Sequence, residues 1–119
     1  MNQFRDVIDD ARAEIGDTYE GSLAYPLEDM LRYAVAGVRE MWRLRPSLRY
    51  AADTGKLYDP DVKLPSTIDE NFTVPLPDEA RAPLAWYIVF RCLSRDVTDK
   101  GNATAASNAE AQFTRFIVG

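Results

Sequence analysis

The chain has 119 residues, 46% of them hydrophobic, with 14 basic and 19 acidic side chains, a net charge of −5, no histidine and one cysteine. That length suits a single domain over residues 1–119. The composition excludes an intrachain disulfide and removes His-dependent nucleophile systems and His-ligated metal sites. It also argues against tight duplex binding, which depends on neutralising phosphates.

The first predicted element is a helix from Asn2 to about Ile15. Phe4, Val7, Ile8, Ala11 and Ile15 form one narrow apolar stripe at helical spacing, and Asp6, Asp9, Asp10, Arg12 and Glu14 lie off it. Asn2 is the expected N-cap. Gly16-Asp17 ends the helix and opens a loop to Ala24. Phe4–Glu14 alternates charged and apolar residues, so it does not read as a signal peptide.

The second helix is expected to start at Pro26, whose missing N–H is not needed in a first turn. Glu28 and Asp29 follow where the helix dipole favours carboxylates. Leu27, Met30, Leu31, Ala34, Val35, Val38, Met41 and Trp42 supply a broad apolar face, Arg43 and Arg45 close the helix, and Pro46 stops it. Ser47–Leu76 then forms a long irregular insertion, with three prolines, Gly55 and no sustained period. Lys56–Tyr58 and Phe72–Leu76 are candidate short strands, a loose hairpin at most. Loops beyond about 12–15 residues tend to be functional or disordered.

Pro77-Asp78-Glu79 repeats the earlier start signal and opens the next helix. From Leu84 to Leu93 its only charged residue is Arg91. Apolar side chains on every side mark a helix surrounded by protein. Its uncharged run, Leu84–Phe90, falls far short of the ~20 residues that span a bilayer. The helix is expected to end near Asp99-Lys100, with Gly101 as its left-handed cap. Asn102 then caps a last helix, in which Ala103, Ala105, Ala106, Ala109 and Ala111 allow close packing and Phe113, Phe116 and Ile117 anchor it. The expected fold is therefore mainly α, a four-helix bundle-like domain with an insertion at about 47–76. The chain reads as cytosolic, or assembled in a cytosol.

Few residues suggest chemistry. Cys92 sits in the apolar helix, where a free cysteine is normally an inert small hydrophobe. Asp59–Glu70 has acids at calcium-loop positions one, three and twelve, but Lys63 and Leu64 stand where a ligand and the obligatory glycine belong. Gly55-Lys56 lacks the rest of a phosphate loop. Asp6, Asp9 and Asp10 read as a solvated helix face. The sequons at Asn71 and Asn102 are chance matches in an unsecreted chain. The sequence predicts no catalytic, cofactor or metal site, and no enzyme.

Interaction residues stand out more. Arg32, Arg39 and Arg43 fall within about 40° of one another on the second helix, with Glu28 on the same strip. They form either a solvated face with local ion pairs or an arginine strip for an acidic neighbour. Arg91, in so apolar a helix, needs a partner if buried: a carboxylate of this chain, or a group across a subunit boundary. Trp86 and Phe90 lie one turn apart, away from Leu84 and Ile88, and are the best candidates for a patch covered by another subunit. Phe113 and Phe116 are further interface candidates near the end of the last helix.

The blocks Ala24-Tyr25-Pro26-Leu27-Glu28-Asp29-Met30-Leu31-Arg32-Tyr33 and Arg43-Leu44-Arg45-Pro46-Ser47-Leu48 resemble the second helix of tailed-phage head-to-tail adaptor proteins, the connector or head-completion family. So do Val74-Pro75-Leu76-Pro77-Asp78-Glu79, Leu84, Tyr87 and Arg91-Cys92-Leu93-Ser94-Arg95-Asp96, followed by Gly101-Asn102, Ala105-Ala106 and Ala111-Gln112-Phe113. Each piece is ordinary; their order, a proline-led helix on either side of a variable insertion, is distinctive. The resemblance covers most of the chain except Arg49–Thr73. It implies a virion protein of the phage neck, assembled in the host cytoplasm as a homo-oligomeric ring, usually of about twelve copies. Its partners would be the portal and the tail or nozzle proteins, with DNA passing through the channel without specific binding and no membrane contact. The insertion would reach a neighbouring ring or line the channel, and Phe113–Val118 would dock on the portal or an adjacent subunit. A second reading is a small acidic regulatory module, antitoxin-like or anti-activator-like, whose acidic first helix meets a basic client.

Overall fold

Helix α1 (Phe4–Ile15) begins where its first N–H groups find partners. A helix leaves its first four N–H groups without internal acceptors. Here the N–H of Phe4 donates to the Phe72 carbonyl at 3.0 Å and that of Arg5 to the Glu70 carbonyl at 2.8 Å. Gln3, not Asn2, is the N-cap, and the Asp6 carboxylate accepts the Gln3 backbone N–H at 2.9 Å. Asn2 is drawn elsewhere: its carbonyl accepts the Val74 N–H at 2.8 Å, and its side-chain oxygen accepts from Arg81 at 3.1 Å. The expected strand at Phe72–Leu76 is thus reduced to one antiparallel bridge, Gln3 with Thr73. This stretch caps α1. Gly16 closes α1 at φ 74°, the left-handed conformation that glycine adopts without steric cost.

The computed structural model describes residues 2–16, 25–49, 70–95 and 100–119. The expected Lys56–Tyr58 strand, the Gly55-Lys56 turn and nearly all of the Asp59–Glu70 loop lie outside the described residues, as does most of the insertion.

Helix α2 spans Leu27–Leu44. Pro26 stands one position before it as the N-cap, and its carbonyl accepts from Asp29 and Met30 at 3.1 and 3.2 Å. Met30, Leu31, Ala34, Val35, Val38 and Met41 are buried, whereas Leu27 is exposed. Pro46 ends the helix as expected and starts a 3-10 turn, Pro46–Arg49, that buries Leu48.

A 3-10 turn at Asp78–Ala80 leads into α3, Arg81–Leu93. The expected end near Asp99 is too late. The Ser94 hydroxyl donates to the Phe90 carbonyl at 2.6 Å, and the Arg95 N–H reaches back only three residues, to Cys92 at 3.3 Å. Such i to i−3 bonding tightens and closes a helix. Helix α4 runs Lys100–Val118, so Gly101 lies inside it and is not the cap of α3, and the helix begins two residues before Asn102.

The fold is mainly α, with four α-helices and no strand among the described residues. Helix α3 is the centre: it packs on α1, α2 and α4, and α1 also touches α2. Leu84, Ile88 and Cys92 are fully buried, and Val89 nearly so. Gly37 lets α2 and α3 approach. A Cβ at that position would lie 2.6 Å from Leu84 Cδ1 and 2.8 Å from Tyr87 Cδ1. Asp29–Arg95, Tyr33–Arg91 and Gly37–Tyr87 are successive contacts, so α2 is antiparallel to α3.

Candidate functional site

Helices α1 and α4 lie on either side of α3 and leave a groove between them. Trp86, Val89 and Leu93 of α3 form its floor, Glu14 and Ile15 of α1 one wall, and Ala105, Asn108, Ala109 and Gln112 of α4 the other. The cleft holds about 330 Å³. A second hollow of about 200 Å³ shares Trp86, Val89 and Glu14 and runs on past Asp10, Ala82 and Ala85. Trp86 is half-buried where the two meet. The groove is apolar at its base and acidic along α1, with amides along α4.

The acidic wall is itself braced. Arg81 grips Asp10 with two parallel bonds, Nε to Oδ2 at 2.6 Å and Nη2 to Oδ1 at 3.0 Å. Its third contact is Asn2. The bond to Asp10 raises the Arg81 pKa, so the guanidinium stays charged. This clamp sets the start of α3 against α1. Sequence reasoning did not find it, because 71 residues separate the partners.

The other expected residues divide. On α2, Arg32 pairs with Asp29 at 3.5 Å. Arg43 binds Glu40 through Nε at 3.2 Å and through Nη2. The hydrogen bond from Arg43 holds the Glu40 carboxyl below its usual range, and the same bond raises the Arg43 pKa. Arg39 is exposed on the same strip, with no ion pair among the described residues. The partners are thus Asp29 and Glu40, three residues away, rather than Glu28.

Arg91 is exposed rather than buried. Among the described residues its partners are aromatic, not a carboxylate. Nη1 donates to the Tyr87 hydroxyl at 2.9 Å, and the guanidinium stands 5.2 Å from the Tyr33 ring centre. A cation over a ring face is favoured by the ring quadrupole.

Phe90 is half-buried, edge-on to Tyr87 at 6.4 Å. Phe113 is taken up by the protein's own core, 5.2 Å from the Tyr87 ring. Phe116 is half-buried beneath Arg45, whose guanidinium lies 5.2 Å from the ring and donates to the Phe116 carbonyl at 3.1 Å. That contact ties the C-terminal end of α2 to that of α4. At the opposite end Asp29 ties the start of α2 to the residues just after α3, accepting from Arg95 at 3.0 Å.

No family model, curated protein or solved structure matches this chain. Among the described residues, no group of three or more His, Cys, Asp or Glu side chains is placed to hold a metal ion. No helix among them is long and apolar enough to cross a membrane. Cys92 is buried near the C-terminal end of α3.

Proposed function

We propose that the protein is a structural subunit of a tailed-phage neck, a head-to-tail adaptor that forms a ring beneath the portal. In this role it extends the DNA channel and offers a docking surface to tail components. The virion neck is its place of action, and assembly occurs in the host cytoplasm.

The observation that carries this reading is the open groove on α3. A helix so apolar is expected to be covered on all sides, yet α1 and α4 leave Trp86 half-exposed between them. Its rim of Glu14, Asn108 and Gln112 contains no nucleophile paired with a base. An apolar floor with a polar rim is the anatomy of a protein interface. The acid excess supports the reading too, since a channel that DNA slides through must not hold phosphates tightly.

Native mass spectrometry of the purified chain, alone and mixed with its portal, tests the proposal. A high-order ring, or stoichiometric incorporation on the portal, is the expected result. Failure to join the portal, together with a one-to-one complex with a basic client protein, would sink it in favour of the regulatory module. Deleting Lys56–Glu70 and imaging assembled particles tests the insertion separately. DNA-filled, tail-bearing particles at normal yield would remove its proposed role.

A further inference from the structure

We draw no further inference here: the strongest candidate, the groove between α1 and α4 over Trp86, carries nothing more, because Asp10 beside it is already held by Arg81 and nothing in the structure shows what covers it.

Discussion

Gly37→Ala isolates the contact between α2 and α3. In an exposed helix interior the change would stabilise, because alanine exceeds glycine in helix propensity by about 1 kcal/mol. Here the new methyl would lie 2.6 Å from Leu84 Cδ1 and 2.8 Å from Tyr87 Cδ1. Neither neighbour yields easily. Leu84 is fully buried, and the Tyr87 ring is held by Phe113 on one side and by the Arg91 bond to its hydroxyl. Overpacking of this kind costs about 1–3 kcal/mol. Set against the propensity gain, a net loss of up to about 2 kcal/mol is expected. Urea unfolding followed by far-UV circular dichroism should show a lower midpoint with an unchanged slope, and Tm should fall by roughly 3–8 °C per kcal/mol. Leu84→Ala, costly by itself in a buried site, should cost about 1 kcal/mol less in this background than in the parent. A Gly37→Ala protein more stable than the parent would refute the argument, because propensity would then outweigh the close approach of the two helices.

Three further outcomes follow from the same geometry. Phe113→Ala should cost about 3 kcal/mol in the same unfolding assay, as a buried aromatic truncation does, whereas Trp86→Phe should cost less than about 1.5 kcal/mol; similar losses at both positions would contradict their different burial. Asp10→Asn should cost about 0.5–1 kcal/mol, the range of a two-point but partly exposed ion pair, and adding Arg81→Ala should cost less than the sum of the single changes. The Glu40 carboxyl is held below its ordinary value of 4.5 by Arg43, so the folded chain binds that proton more weakly than the unfolded chain. Its contribution is complete above the ordinary carboxylate range and fades as pH falls below 4.5 through the depressed value. Glu40→Gln should therefore flatten the acid side of a plot of urea midpoint against pH. An unchanged slope there would show that the pair does not persist in solution.

The helices themselves were largely legible in the chain. The apolar stripe of α1, the proline starts at Pro26 and Pro77, the stop at Pro46 and the all-round apolar character of Leu84–Leu93 are local patterns, and local patterns decide where a helix pays to form. Boundaries were less legible where a distant group intervened. Asn2 looked like a cap until Arg81 and Val74 drew it away, and the first turn of α1 was capped instead by Glu70 and Phe72. Helix α3 stopped early where the Arg95 N–H turned back only three residues to Cys92, a short-range event with no apolar signature. Gly37 did leave a signal, as a lone glycine within an apolar helical pattern, and its meaning needed α3 beside it.

Sequence alone determined that this chain would be mainly α, would lack histidine chemistry and would place its most apolar helix at the centre. Those outcomes depend on residue type and on periodicity along a single helix. Tertiary structure decided which of the aromatic and arginine residues remain at the surface. Phe113 passed into the core against Tyr87, Arg91 came to rest on tyrosine rings, and Trp86 was left in a groove between α1 and α4. The physical reason is that exposure belongs to pairs of elements. Periodicity names the apolar face of a helix, but only the arrangement of its neighbours decides how much of that face is covered.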